Sequence, residues 1–304
     1  MISVSEKILE SYQMRKTKKQ KTAFIDFLSR YYPQLKVEEG GFPKSRNLVF
    51  GDVSKADIIV SAHYDTCAAL PFPNLITPKN FLFCLLYALV ISVPFLVAYI
   101  FTQRLLNLVL NDFFISYTIS FVGFLAITFF VFIGGKPNKN TANDNTSGVI
   151  TVLELMASLS DEEKGKFAFV LFDNEESGVF GSAYFSKKHR AEMKNKLLIN
   201  LDCVGEGDNL MFVYNSKAMK RYSGAFKESF VPVEGKCFRH EKSSTTFYPS
   251  DQMNFKNTIA VAALKKEPVI GYYMDKIHTS KDTVCDMRNV DILVTGIRSF
   301  SYKI

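Results

Sequence analysis

Tryptophan is absent from the 304-residue sequence, and cysteine is scarce, with five residues. The cysteine count is odd, and no spacing resembles a zinc knuckle or a C-x-x-C redox pair. We therefore interpret the cysteines as reduced, buried thiols with a structural role in a cytosolic domain. Residues 1–16 are polar and contain no apolar stretch of the signal-peptide type, which favours the same compartment.

Positive charge exceeds negative charge, with a formal net charge of +7. A basic balance is compatible with nucleic acid or an anionic membrane surface as partner. We find no nucleic-acid-binding motif and no basic stripe interleaved with aromatic residues, so no nucleic-acid partner is expected. The densest basic run lies in a helix predicted for residues 5–32, and we interpret it as a solvated helix face, with membrane-surface contact as the alternative. The run consists of Arg15, Lys16, Lys18, Lys19 and Lys21.

Charge is missing altogether from residues 81–103 and from residues 113–135. At a rise of about 1.5 Å per residue, each would form a helix roughly 35 Å long, against a hydrocarbon core of about 30 Å. Because the linker 104–112 is short, residues 80–135 are predicted to form a transmembrane helical hairpin. The alternatives are a hairpin buried in a soluble protein and an apolar oligomer interface.

The charges that flank the hairpin predict its orientation. Lys79, Lys136 and Lys139 lie outside its ends, whereas Arg104 lies in the linker. Positive residues are enriched on the cytoplasmic side of a membrane. We therefore expect an integral membrane protein with both hairpin ends, and the remaining chain, in the cytoplasm.

The rest of the sequence reads as an α/β domain that the hairpin interrupts. Residues 147–159 have the apolar periodicity of a helix. Short apolar runs predict strands at 47–50, 58–62, 167–172, 197–201, 209–214, 260–264 and 269–272. Strands that alternate with helices indicate a largely parallel sheet covered on both faces. Residues 1–304 are thus predicted to form a single domain around the hairpin.

Polar side chains follow several of these strands. His63 and Asp65 come directly after the strand 58–62, at the end where α/β proteins place their sites. The H-x-D spacing puts both side chains on the same side of an extended chain, so Asp65 can accept the second N–H of the imidazole. When the motif is taken alone, the alternative interpretation of His63 is a histidine with a structural role.

Carboxylates occupy comparable positions elsewhere. Asp144 lies in a polar loop directly before the helix 147–159, and Asp202 follows the strand 197–201. Glu175 and Glu176 follow the strand 167–172. Adjacent side chains on an extended chain point in opposite directions, so one glutamate can bind a metal while the other faces a metal-bound water.

A second imidazole, His278, is followed by Asp282 as its expected hydrogen-bonding partner. For each motif alone, a surface or structural role is the alternative. Together, two histidines and several carboxylates at strand ends suit zinc, or a related divalent ion, in a catalytic site. Two ions bridged by one carboxylate could hold a hydroxide and polarise a scissile carbonyl.

The motifs occur in the order H-x-D, N-D-N-x-S-G, E-E-x-G-x-x-G-S, L-D and H-T-x-x-D-T. In this order the sequence resembles the co-catalytic di-zinc aminopeptidases, whose clan includes glutamate carboxypeptidases and glutaminyl cyclases. The resemblance covers about residues 48–66 and 140–283. It implies an α/β/α sandwich around a mixed, mostly parallel sheet.

The resemblance also implies a role for each site residue. Asp144 would bridge two zinc ions, His63 and Asp202 would complete one ion, and Glu176 and His278 would complete the other. Glu175 would be the general base, and Asp65 would orient His63. Tyr248, Ser250 and Asp251 would lie near the substrate, although Gln252 replaces the histidine of the family and the register of Tyr248 is shifted by one residue.

One departure from the family is large. Relatives join the H-x-D strand to the bridging aspartate by a short loop, whereas this chain inserts the hairpin there. We therefore expect a membrane-anchored aminopeptidase that removes N-terminal amino acids from peptides, and oligomerisation is compatible with it. The alternative within the same chemistry is a metal-dependent amidase of lipid-linked or N-acyl amino-acid substrates.

Three further alternatives find less support. A glutaminyl cyclase would rely on pocket tryptophans, which this sequence lacks. A non-catalytic peptidase-like receptor would have lost ligands or the base, whereas all are present. A serine or cysteine hydrolase is not expected, because the sequence has no G-x-S-x-G elbow and no cysteine has an obvious histidine partner.

Overall fold

A nine-stranded mixed sheet forms the centre of the protein in the computed structural model, which describes residues 3–304. Its strands pair in the order β1-β2-β4-β3-β5-β8-β6-β7, and β9 pairs with the end of β8. The strands are β1 (Lys36–Gly40), β2 (Ser45–Gly51), β3 (Ile58–His63), β4 (Phe167–Phe172), β5 (Leu197–Leu201), β6 (Asn209–Tyr214), β7 (Cys237–Lys242), β8 (Thr258–Glu267) and β9 (Gly271–Tyr273).

The four central strands, β4, β3, β5 and β8, are mutually parallel. Strand β2 runs antiparallel to β4, and β6 runs antiparallel to β8. The register places His63 opposite Phe172, so the last residues of β3 and β4 lie side by side. The chain segments that follow β3, β4 and β5 therefore leave the sheet at one edge.

Helices cover both faces of the sheet. The larger core cluster lies between one face and α1, α2, α5, α8 and α9, and a second cluster packs α7 against the opposite face. The helices are α1 (Val4–Ser11), α2 (Lys18–Tyr31), α3 (Phe81–Leu110), α4 (Phe113–Phe129), α5 (Gly148–Ser158), α6 (Asp161–Lys164), α7 (Phe180–Lys188), α8 (Ser216–Lys227) and α9 (Met287–Phe300). This arrangement confirms the predicted α/β/α sandwich around a mixed sheet.

Most predicted strands are present, and β4, β5 and β6 have the predicted bounds. Two strands had not been predicted, β1 and β7, which lie at the two edges of the sheet. Their sequences, KVEEG and CFRHEK, are rich in charged residues because an edge strand keeps much of its surface in water. They therefore lack the apolar pattern by which the buried strands were found.

The predicted single helix over residues 5–32 is wrong. Two helices occupy this stretch, because α1 ends at Ser11 and Thr17 caps a new helix at its N-terminus. The connecting segment carries Arg15, whose side chain is fully buried, and Lys21 of α2 is also buried, 2.5 Å from Asp173. The interpretation of the basic run as a solvated face is therefore wrong for these two residues.

The hairpin is formed by α3 and α4, and α4 continues as a π-helical turn, Phe130–Gly134. Arg104 lies inside α3, and residues 111–112 alone separate the helices, so the predicted linker 104–112 is too long. Both helices are apolar enough and long enough to cross a membrane. Every residue of α3 stays at least partly exposed among residues 3–304, which rules out burial of this helix in the core of its own chain.

The start of α5 approaches the end of β5 closely at Gly148. A Cβ atom at this position would lie 2.5 Å from the carbonyl oxygen of Leu201 and 2.3 Å from Oδ1 of Asn145. Such a Cβ would push apart the two segments that carry Asp144 and Asp202.

We expect Gly148→Ala to lower the free energy of unfolding by about 3 kcal/mol, because a backbone oxygen cannot move aside as a flexible side chain can. Thermal unfolding of the full chain in detergent measures this. Gly224→Ala in α8 is the control, because no atom beyond its chain neighbours and the backbone of its own helix lies within 4 Å of its Cβ position and alanine favours a helix. Equal unfolding midpoints for the two variants would contradict the prediction.

Candidate metal and catalytic site

All the predicted metal-ligand residues and the predicted base meet at one edge of the sheet. They arrive from different elements: the end of β3, the loop before α5, the segment after β4, the segment after β5 and the turn after β9. They are His63, Asp144, Glu175, Glu176, Asp202 and His278. Parallel central strands bring about this convergence, because their carboxyl ends share an edge.

Asp144 contacts both imidazoles with different oxygen atoms. Its Oδ1 lies 3.2 Å from Nε2 of His63, and its Oδ2 lies 2.9 Å from Nε2 of His278. Around this carboxylate the donors form two groups. Asp202 Oδ1 lies 3.5 Å from His63 Nε2, and Glu176 Oε2 lies 3.1 Å from His278 Nε2. The arrangement is two groups of donors that share one carboxylate.

A hydrogen bond fixes the tautomer of His63. Its Nδ1 lies 3.0 Å from the backbone carbonyl oxygen of Asp65. A carbonyl only accepts hydrogen bonds, so Nδ1 carries a proton and the ring directs Nε2 at the donor cluster. The Asp65 carboxylate, expected to be this partner, lies 3.7 Å from Nδ1. It instead accepts hydrogen bonds from the backbone N–H groups of Glu175 and Glu176, at 3.0 and 3.2 Å.

Asp282 likewise forms hydrogen bonds with backbone groups rather than with the imidazole of His278. Its carboxylate accepts hydrogen bonds from the backbone N–H groups of Asn143 and Asp144, at 2.7 and 3.0 Å. Burial, together with the charge of Asp144, raises the pKa of Asp282 to about 8. Asp282 therefore positions the loop that carries the shared carboxylate.

The electrostatics of the cluster fit a divalent cation. Burial raises the pKa of Glu175 well above its ordinary value, and the charges of Asp202 and Asp251 raise it further. Burial alone would lower the pKa of His63, but the surrounding carboxylates outweigh burial and leave it well above its ordinary value. Glu176 keeps one buried oxygen, Oε1, without a hydrogen-bond partner among residues 3–304. Carboxylate oxygens and imidazole nitrogens of this kind are ligands that bind zinc in proteins.

A cysteine sulfur atom also lies close to the donor cluster. Cys67 is buried, and its Sγ lies within 4.8 Å of donor atoms of both Glu176 and His278. Burial raises the pKa of this thiol well above its ordinary value. The sequence alone had placed Cys67 among the structural thiols. The sequence signal that could have identified Cys67 is its position four residues after His63, in the segment that follows β3.

Arg15 lies beneath the site and was not predicted as a functional residue. Its Nε donates to the carbonyl oxygen of Tyr64 at 2.5 Å, and its two terminal nitrogens each lie 3.1 Å from Oγ1 of Thr146. Burial lowers the pKa of Arg15 to about 10, although Asp65 and Asp144 act in the opposite direction. One guanidinium thus joins the segment after β3 to the loop of Asp144.

The predicted substrate-binding residues occupy different depths. Tyr248 lines the pocket above the donor cluster, and its hydroxyl donates to the carbonyl oxygen of Asp202 at 3.0 Å. Ser250 and Asp251 are buried behind the pocket wall. Burial raises the pKa of Asp251 to about 7, and neither carboxylate oxygen has a hydrogen-bond partner within the described part of the chain.

Residues 129–293, more than half of the chain, match the sequence model of peptidase family M28. The chain belongs to peptidase family M28. This confirms the resemblance inferred from the order of the motifs. An M28 peptidase is a hydrolase, and the family implies peptide substrates.

Solved structures share the fold of this M28 peptidase. Glutaminyl cyclase of Porphyromonas gingivalis matches with a TM-score of 0.61 and 15% identity, over 98% of this chain and 95% of the cyclase. A Zn-dependent exopeptidase of Parabacteroides distasonis matches with a TM-score of 0.57 and 13% identity, over 99% and 98%. The LapA aminopeptidase of Legionella pneumophila matches with a TM-score of 0.56 and 11% identity, over 98% and 68%.

We expect Arg15→Met in this M28 peptidase to weaken zinc binding by about tenfold or more, because partners behind the ligands orient them. Competition with a zinc-responsive dye measures the affinity. Lys19→Met is the matched control, since Lys19 is an exposed member of the same basic run. If both variants bind zinc as the wild type does, Arg15 does not position the donors.

Proposed function

We propose that this chain is a membrane-anchored aminopeptidase that uses two zinc ions. The observation that carries the proposal is the Asp144 carboxylate, whose two oxygens contact the imidazoles of His63 and His278 separately. A shared carboxylate between two groups of nitrogen and oxygen donors is the ligand pattern of a two-metal hydrolytic site.

His63, Asp202 and Asp144 would hold one ion, and Glu176, His278 and Asp144 the other. Zinc in such a site supplies Lewis acidity, which polarises the scissile carbonyl and makes hydroxide available near neutral pH. The protein keeps the donors in place with hydrogen bonds behind them, in which His63 Nδ1 donates to the Asp65 carbonyl oxygen and the Asp144 backbone N–H donates to the Asp282 carboxylate. Two structural neighbours, a zinc-dependent exopeptidase and an aminopeptidase, support this choice of metal and reaction.

Glu175 is proposed as the general base. It lines the same pocket as the donor cluster, and the Asp65 carboxylate holds its backbone N–H. A half-buried carboxylate in a pocket, with a raised pKa, is suited to take a proton from the attacking water and to return it to the leaving amine.

Membrane anchoring is proposed from the surface of the hairpin. Leu89, Val93 and Val97 are among the many apolar side chains of α3 that are more than half exposed. Each square ångström of apolar surface left in water costs about 25 cal/mol, so a surface of this extent requires an apolar environment. A bilayer supplies it, and the lysines at the hairpin ends favour a cytoplasmic catalytic domain. We also propose that residues 1–304 form a single domain, which the hairpin interrupts.

The competing reaction is hydrolysis of lipid-linked or N-acyl amino-acid amides on the same metals. The observation that favours it is the position of the hairpin beside the pocket, where Cys84 of α3 is one of the lining residues. Both reactions use the same donors and base, so the substrate alone distinguishes them.

We expect detergent-purified wild type to release coumarin from aminoacyl-coumarins, and we expect Glu175→Gln to lose this activity by about 100-fold or more, because a positioned base contributes 10²–10⁴-fold. Zinc content measured on the same samples should be two ions per chain in both proteins. Glu10→Gln, a change at an exposed glutamate, is the control. Activity retained in Glu175→Gln would exclude this residue as the base, and release only from N-acylated substrates would favour the amidase.

We expect the wild-type chain to stay in the membrane pellet after alkaline carbonate extraction. Replacing Val93 and Val97 together by arginine should release much of it, because each charge at the centre of a membrane helix costs about 3 kcal/mol. Val231→Arg, at an exposed apolar residue outside the hairpin, is the control and should stay in the pellet. Extraction of the wild type by carbonate would contradict membrane integration.

A further inference from the structure

The pocket that contains Glu175 has a second, apolar wall beside the donor cluster. The pocket encloses about 210 Å³. Its second wall carries no charged side chain and consists mainly of Ile76, Cys84, Phe247, Tyr248, Pro249 and Ile277. These residues come from three segments, 76–84, 247–249 and the segment of Ile277, and the first of them includes the start of α3.

Cys84 lies in the first turn of α3, which Asn80 caps by accepting a hydrogen bond from the backbone N–H of Phe83 at 3.1 Å. Cys84 and Tyr87, three residues apart, are half-buried, whereas Leu82 and Leu85 are exposed by 66% and 46%. Residues three apart share one face of a helix. The Cys84 face of α3 therefore points at the pocket, and the Leu85 side points outward.

The base of α3 is fixed to the catalytic domain at several points. The backbone N–H of Phe247 donates to the carbonyl oxygen of Pro78 at 2.9 Å, and the ring of Phe247 packs edge-on against Phe81. Ile76 and Met274 exchange two backbone hydrogen bonds, at 2.9 and 3.0 Å. Lys79 forms an ion pair with Glu241 at 2.5 Å. The helix is thereby held as a defined part of the pocket wall.

The chemistry and size of this wall select an apolar group. A cavity of about 150 Å³ lined by apolar side chains holds benzene, so the pocket here has room for a branched or aromatic side chain. A charged side chain against the second wall would lose its water without gaining a partner, at a cost of several kcal/mol.

We propose that the first turn of α3 forms part of the substrate side-chain subsite, so that the hairpin selects peptides with a large apolar N-terminal residue. This inference rests on the proposed function, because the side chain is that of the residue whose amide bond Glu175 would cleave. The hairpin is then a specificity element as well as an anchor.

The first test compares kcat/KM for leucyl-, phenylalanyl- and alanyl-coumarin in full-length detergent-purified proteins. We expect Cys84→Phe to reduce the preference for leucine and phenylalanine over alanine by about tenfold or more, because filling a pocket penalises large side chains most. Leu85→Phe is the matched control, with the same added ring on the outward side of the same turn. An unchanged preference in Cys84→Phe would overturn the proposal.

A second test does not depend on catalysis or on a variant that must fold. The zinc-loaded wild type is treated with N-ethylmaleimide in the presence of leucine hydroxamate or glycine hydroxamate, and labelling of each cysteine is followed by mass spectrometry. We expect leucine hydroxamate to abolish most labelling of Cys84, glycine hydroxamate to have a smaller effect, and exposed Cys237 to label equally in both.

The two tests separate the two proposals. If the wild type releases no coumarin, the aminopeptidase function fails, and the labelling alone decides the subsite. Selective protection by leucine hydroxamate would then still support an apolar subsite at α3. Equal labelling of Cys84 with both hydroxamates would overturn the subsite even in an active enzyme.

Discussion

The shared carboxylate of Asp144 sets the conditions that the surrounding structure must meet. A buried carboxylate placed between two imidazoles and close to other carboxylates needs a fixed position and compensating charge. The position comes from Asp282, which accepts two backbone hydrogen bonds of the same loop, and from Asn145, whose side chain donates to the carbonyl oxygen of Leu201 at 2.8 Å. Gly148 then allows α5 to start directly against β5.

The fold and the donor set could be predicted to a large extent because both leave local signals. Buried parallel strands appear as short apolar runs, and the polar residue that ends each run lies at the shared edge of the sheet. His63, Glu176 and Asp202 were found in this way, before any family resemblance was considered. The match of residues 129–293 to the family contains the four later motifs, whereas the H-x-D motif of His63 lies before it.

The hydrogen bonds behind the donors could not be predicted, because their partners are distant in sequence. The Asp65 carboxylate meets the backbone of Glu175, 110 positions away, and Arg15 meets Thr146, 131 positions away. Arg15 also lies within a run of lysines, where composition alone predicts solvent exposure. Only the contacts of the segment between α1 and α2 with Tyr64 and Thr146 show that Arg15 is enclosed.

The rigid connection between α3 and the pocket wall has a kinetic consequence. Pro78, Phe81 and Lys79 are all held by the α/β domain, so in a membrane-anchored chain, as proposed, the protein itself would set the height of the site relative to the bilayer, unlike a flexible tether. In a membrane-anchored enzyme of this build, encounter with a substrate that is itself membrane-bound becomes a two-dimensional search. The turnover of such substrates would follow their mole fraction in the lipid surface, and diluting the membrane with inert lipid would slow the reaction at constant bulk concentration.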